Sequence, residues 1–375
     1  MRRINLDHAA TTAVAPEVLT EMAAAWALPG NPSSSHGSGR EARALLEKAR
    51  STVAGLLHVE PGEVFFTSGG TESDNWALRG VAEGGSRPIA VSAIEHHAVL
   101  HTANWLETQG VPVHRLPVTR EGVIDLNALE QALTPGAALV SVMTANNETG
   151  VLQPVERIEA LCRERGVPFH TDAVQAVGAV PACELCAHAD LVSLSGHKFY
   201  GPKGIGALVV RKHVKLHRLL HGGAQERGLR AGTENLAGAV GFAAALALAE
   251  AKRPEEAVRL AGLRDRLETQ LFAQIPGLMR NGAEPRLPGH SSLRFPVRDG
   301  RALLMRLDMA GIDASSGSAC ASGSADPSHV LLAMGLGREE ALASVRLSLG
   351  RDTSEADVDE AAALIVRTVQ AMQAG

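Results

Sequence analysis

Two side chains stand out for the reactions their surroundings would favour. Lys198 lies in Ser195-Gly196-His197-Lys198-Phe199-Tyr200-Gly201-Pro202-Lys203-Gly204, after an apolar run and before a Gly/Pro turn. An amine at a strand end, walled by apolar groups, can lose its proton and form a Schiff base with a carbonyl compound. The same position also reads as a surface lysine, because lysines are mostly exposed. Cys320 lies in Ser315-Ser316-Gly317-Ser318-Ala319-Cys320-Ala321-Ser322-Gly323. Structural cysteines usually sit among apolar neighbours. A thiol among such small residues has access, and its thiolate suits a nucleophile that reaches a substrate and carries something away.

Other polar motifs follow apolar runs. Phe65-Phe66-Thr67-Ser68-Gly69-Gly70-Thr71-Glu72 reads as strand, glycine turn and helix start. Free N–H groups and the dipole at a helix N-terminus form an anion site, to which Thr71 adds a hydroxyl. The Gly-Lys-Ser/Thr ending of a Walker loop is missing, and taken alone the segment reads more simply as a plain capped turn. In His170-Thr171-Asp172-Ala173-Val174-Gln175, Asp172 is either a helix cap or an anion able to keep a pyridinium nitrogen protonated, making the ring an electron sink. Glu95-His96-His97 and Asn146-Asn147-Glu148-Thr149-Gly150 fall just beyond apolar runs too. Ligands of open α/β sheets collect at that edge.

The elements that must position these residues are legible as alternation. Short β-rich runs at Val64–Thr67, Ile89–Ser92, Leu139–Met143, Val167–His170, Leu191–Leu194 and Gly206–Val210 alternate with helical patterns such as Thr71–Ala82 and Val155–Arg165. This predicts an α/β fold whose large domain has a mostly parallel central sheet flanked by helices. Runs that are apolar throughout fit strands buried on both faces. Glu234–Lys252 reads as one helix, and Arg253-Pro254 predicts a break and hinge. Beyond it a smaller α+β domain shows helix (Leu260–Gln274), strand (Ser291–Pro296), helix (Arg301–Ala310), small-residue loop (Ser315–Asp326), strand (Val345–Leu349) and helix (Ser354–Met372). The expected division is 13–252 for the large domain, with 1–12 and 253–375 forming the small one.

Composition narrows the function classes. With 375 residues and 45% hydrophobic content the chain can bury two cores. A net charge of −5 without one-signed runs gives no basic nucleic-acid footprint. The N-terminus lacks a signal-peptide apolar core, and the apolar stretch Leu236–Ala249 is too short to span a bilayer. A cytoplasmic location is the expectation, with Cys162, Cys183, Cys186 and Cys320 as reduced thiols. Cys183-Glu184-Leu185-Cys186 is a single CxxC pair; with His188 it offers three ligands where structural zinc expects four.

Taken together, these motifs closely resemble cysteine desulfurases of the NifS/IscS-like class. The match also takes in Asp7-His8-Ala9-Ala10-Thr11-Thr12, Gly30-Asn31-Pro32-Ser33-Ser34, Gln225 through Asn235, Ser328-His329-Val330-Leu331 and Arg346-Leu347-Ser348-Leu349-Gly350. The long segment between Ser315 and His329 resembles the first class of the family. The chain also ends soon after its last helix, whereas some members have a longer tail that helps dock a cluster scaffold.

The resemblance implies a fold-type I pyridoxal phosphate (PLP) enzyme acting as a homodimer. By that resemblance Lys198 would form the Schiff base, Asp172 would pair with the pyridine nitrogen, and Gln175 would bond the ring oxygen. His96 would stack on the ring and move protons. Gly70, Thr71, Ser195 and His197 would hold the phosphate, and Thr233 would reach the phosphate in the neighbouring subunit. Asn147, at the cofactor, and Arg346 would hold the carboxylate of L-cysteine. Cys320 would take the sulfur as a persulfide while alanine leaves, and its loop would swing to deliver it. The acceptor would be an iron–sulfur scaffold or a tRNA-thiolation protein, with no direct nucleic-acid or membrane contact. The Cys320 thiolate is also chemically able to ligate a cluster iron transiently. The competing expectations are a selenocysteine lyase or related β-elimination lyase, which need not use Cys320, and a non-catalytic scaffold.

Overall fold

The computed structural model describes residues 2–82, 84–133, 136–316 and 326–374. Its central sheet has seven strands: β1 (Val64–Thr67), β2 (Ile89–Ser92), β3 (Val113–Leu116), β4 (Leu139–Ser141), β5 (Phe169–Asp172), β6 (Leu191–Ser195) and β7 (Gly206–Val210), in the order β1-β7-β6-β5-β4-β2-β3. Strands β2 to β6 pair in parallel, while β7 runs antiparallel to both β1 and β6. All but β3 are buried along their whole length, as double-sided helix cover requires. Edge strand β3 exposes His114 and Arg115, so it carries no continuous apolar run and escapes a reading based on such runs. Strand β5 extends two residues beyond the apolar run Val167–His170, which puts Asp172 on its last position. Strand β4 stops at Ser141, two residues short of the expected end.

Helix α1 (Gly70–Ala82) follows β1 and helix α2 (His97–Thr108) follows β2. One face of the sheet packs Phe66, Phe169 and Phe242 among many alanines and valines. The other packs Phe65, Trp76 and Leu106. A separate core joins Ile4 and Leu6 to Leu263, Leu267, Phe295, Val345, Leu347 and Ile365. It is built on a three-stranded antiparallel sheet of Ser344–Ser348, His290–Arg294 and Met279–Arg280.

The break expected at Arg253-Pro254 is absent. Helix α3 runs unbroken from Leu236 to Gln274 with Pro254 inside it. An interior proline costs about 3 kcal/mol through its lost hydrogen bond and ring clash. Here that cost is met by burial on both sides: Leu236 to Ala249 lie in the sheet core, and Leu263, Leu267 and Leu271 lie in the second core. Among the described residues no helix is long and apolar enough to cross a membrane.

Candidate active site

The C-terminal strand ends and the N-terminal segment enclose a cavity of about 370 Å³. Gly70, Thr71, His96, Asn147, Asp172, Gln175, Ser195, His197, Lys198 and Arg346 all line it. Ten positions scattered over the sequence thus meet at one place. Thr233 lies apart, in a neighbouring polar pocket with Ser68, Gly204 and Arg230. Cys320 lies outside the described residues.

Lys198 follows β6 on a single 3-10 turn, Gly196–Lys198. Its Nζ donates to the carbonyls of Ala9 at 2.7 Å and Ala10 at 2.9 Å. The Gln175 amide donates to the same Ala9 carbonyl at 2.9 Å. The segment Asp7 to Thr12 therefore closes the cavity through its backbone, a role that side-chain chemistry does not advertise.

Asp172 is buried, and Val174 N–H donates to its Oδ1 at 2.9 Å. Burial raises its carboxyl to about 6, against the pull of that N–H and of Lys198. His96 caps α2, its Nδ1 accepting Ala98 N–H at 3.1 Å, so its neutral ring carries the proton on Nε2. Burial, then Lys198 and the neighbouring histidines, lower His96 to about 4. His197 falls to about 4 for the same first cause, and its Nδ1 lies 3.1 Å from Thr11 Oγ1. Both imidazoles are neutral at physiological pH.

The glycine turn before α1 is held open from behind. A Cβ on Gly206 of β7 would stand 2.5 Å from the Leu194 carbonyl oxygen and 2.7 Å from Gly69 Cα. Only a bare backbone lets β7 pass behind this turn. Gly70 and Thr71 at the start of α1, Ser195 and His197 line a second opening that also includes Lys203 and Glu72, and the free N–H groups of a helix start suit a phosphate there.

Arg346 enters from strand Ser344–Ser348 and is buried. Its Nη1 donates to the Asn147 carbonyl at 2.8 Å and its Nη2 to Asp7 Oδ1 at 2.7 Å. The buried Nε has no partner among the described residues. Asn146 shapes this corner: its Oδ1 accepts the N–H groups of Glu148 and Thr149, and its Nδ2 donates to the Ile94 carbonyl.

Sequence reasoning assigns no individual role to Asp7, Asp74, Glu95, Met143 or the carbonyls of Ala9 and Ala10, although Asp7 and Glu95 lie inside the motifs Asp7–Thr12 and Glu95–His97. The CxxC pair shows no metal arrangement among the described residues, and burial raises the Cys186 thiol to about 12.

Comparison with known proteins agrees with this geometry. The family model described as aminotransferase class-V matches residues 4–361. A cysteine desulfurase IscS of Clostridium botulinum is 46% identical over 96% of this chain and 92% of its own length. An IscS-like cysteine desulfurase of Mycobacterium tuberculosis is 47% identical over 95% of this chain and 93% of its own. The solved structure of a NifS-like protein superposes with a TM-score of 0.91 at 39% identity, covering 98% of this chain and 99% of that one.

Proposed function

The chain belongs to the class-V aminotransferase family, in its cysteine desulfurase branch, and from that premise we propose how its residues divide the work. The substrate is L-cysteine, the product L-alanine, and the sulfur passes to Cys320. The observation that carries this reading is the single cavity lined together by Lys198, Asp172, His96 and Arg346.

The residues present fit pyridoxal phosphate. Gly70, Thr71, Ser195 and His197 form a donor-rich, glycine-lined end for its phosphate. Buried Asp172 suits the ring nitrogen, Gln175 the ring oxygen, and His96 and Asn147 stand at the same cavity. When bound, this cofactor supplies a carbonyl for an amine and a ring that accepts electrons released at the substrate α-carbon.

The protein's own groups do the rest. Lys198 Nζ would hold the cofactor and, as a free amine, would take the α-proton from the substrate. The Asp172 carboxylate would favour a protonated ring nitrogen. Arg346 and Asn147 hold the substrate carboxylate and orient its sulfur. The Cys320 thiolate attacks that sulfur: an S–S bond forms, the Cβ–S bond breaks, and a persulfide stays on Cys320. A thiol acceptor protein, of the iron–sulfur scaffold or tRNA-thiolation kind, then removes the sulfur. Thr233, set apart from the cavity, fits a role toward a second subunit's cofactor in a homodimer. The two separate cores support the division into 13–252 and 1–12 with 253–375, joined through continuous α3. A reducing, cytoplasmic setting accords with free Cys162, Cys183 and Cys186.

The test is Cys320→Ser in cofactor-loaded protein. It keeps the visible absorbance of the bound cofactor and stops alanine formation from L-cysteine. Retained turnover would replace this mechanism with that of a lyase that needs no acceptor cysteine.

A further inference from the structure

Two consecutive residues just beyond the segment that carries Cys320 each reach a different strand-end loop. Ser328 Oγ donates to Glu148 Oε2, and the same hydroxyl accepts the Leu331 N–H at 3.1 Å, capping the short helix His329–Ala333. His329 Nε2 lies 2.9 Å from the Glu95 carbonyl, so this nitrogen carries the proton. Its Nδ1 then accepts from His97 Nε2 at 3.2 Å. Val330 and Leu331 pack with Ile94 in a small apolar cluster underneath. The foot of the Cys320 segment thus rests on the loop after β4, which presents Asn147, and on the loop after β2, which presents His96.

Glu148 is the unusual partner. It is 3% exposed, and an acid so placed is expensive to ionise. Burial raises it to about 7, while the Ser328 hydroxyl and the charge of Arg346 act the other way. Its backbone N–H is fixed on Asn146 Oδ1 at 3.0 Å, and the preceding carbonyl, that of Asn147, accepts from Arg346. A continuous chain of contacts runs from Arg346 through Asn147 and Glu148 to Ser328. A cap alone would need only the Ser328 hydroxyl; the carboxyl adds a tie between that cap and the substrate clamp.

We propose that Glu148 is a positioning residue for sulfur transfer: through Ser328 it seats the foot of the Cys320 segment on the loop beside Arg346. The inference rests on the reading of Cys320 as sulfur carrier. Glu148 touches neither cofactor nor substrate in this role; it acts through Ser328, eight positions beyond Cys320.

The experiment uses cofactor-loaded Glu148→Gln and Ser328→Ala with two substrates. L-cysteine requires attack by Cys320. In 3-chloro-L-alanine chloride leaves by itself after the α-proton is removed, so only the clamp, Lys198 and the cofactor are needed. A direct readout accompanies turnover: the rate at which iodoacetamide alkylates Cys320, followed by mass spectrometry. Losing the hydrogen bond in Ser328→Ala should lower kcat for cysteine severalfold to about tenfold, and the weaker neutral acceptor of Glu148→Gln should lower it by less; both should leave chloroalanine turnover within about twofold and change the alkylation rate. A parallel fall for both substrates, or an unchanged alkylation rate, would overturn the proposal. If Glu148→Gln does not fold, Ser328→Ala carries the comparison with the acid in place. Cys320→Ser run alongside separates the failures. If it keeps cysteine turnover, the carrier reading falls; if it is inactive while both foot variants behave as wild type, only the positioning role falls.

Discussion

Replacing Asp7 with asparagine isolates the aim of Arg346 from its charge. Asp7 Oδ1 accepts from Arg346 Nη2 at 2.7 Å, and the Asn147 carbonyl accepts from Nη1 at 2.8 Å. These two bonds hold the guanidinium plane and leave the buried Nε–H unpartnered among the described residues. Asparagine keeps an acceptor of the same shape but removes the negative charge. A hydrogen bond to a charged group contributes roughly 1.5–3 kcal/mol, and the neutral acceptor retains part of it. Asp7 is 24% exposed in its side chain against 3% for Arg346, so water screens some of the remainder. The expected loss is about 1–2 kcal/mol, or roughly 5- to 30-fold. It should appear mainly in KM for L-cysteine, because what weakens is the hold on the carboxylate before reaction. Alanine formation measured across cysteine concentration gives KM and kcat, and binding of cysteamine, which has no carboxylate, provides the control. An unchanged KM, or an equal loss with cysteamine, would refute the idea that Asp7 acts by aiming Arg346.

Two further outcomes follow from the packing and the buried charges. Gly206→Ala forces a methyl toward the Leu194 carbonyl and Gly69; about 1–3 kcal/mol of stability should go in denaturant melts, with cofactor retained less tightly on dialysis. Normal stability and normal retention together would show that β7 can shift without disturbing the turn. His170 is fully buried between Ser141 and Ser193, and burial lowers it to about 3. The unfolded chain therefore binds the extra proton between about pH 3 and 6.5, so stability is fully present above 6.5 and is lost as pH falls through that window. His170→Asn should flatten the stability-against-pH curve there by up to about 1.4 kcal/mol per pH unit; an unaltered slope in acid-titrated melts would contradict it.

How much of this was legible follows from what each residue does. Lys198, Asp172 and Thr71 stand at the ends of apolar runs, and a parallel sheet brings its strand ends to one edge, so their convergence could be read from periodicity. The closing role of residues 7–12 could not. It is carried by the carbonyls of Ala9 and Ala10, whose side chains give no chemical signal. Pro254 misled for a related reason: its local cost is real, but the burial that outweighs it comes from two cores distant in sequence. Strand β3 was missed because an edge strand need not be apolar. Ser328 and Glu148 lie 180 positions apart and meet only in three dimensions.

The charges within the cavity explain why Asp172, among three buried carboxyls, is the anion. Asp74 and Glu95 are also buried, and each has an oxygen without a partner among the described residues. Desolvation pushes both well above their usual range, and the nearby charge of Asp172 pushes them further. Asp172 suffers the same burial and, like Glu95 with the Met143 N–H, accepts one backbone N–H, that of Val174; what sets it apart is Lys198, close enough to favour its charged form. Near neutral pH, Asp74 and Glu95 therefore keep their protons and Asp172 gives its up. A single anion facing a cavity of neutral histidines is what a protonated ring nitrogen requires. Had all three ionised, mutual repulsion would have raised Asp172 and removed the charge that holds that proton.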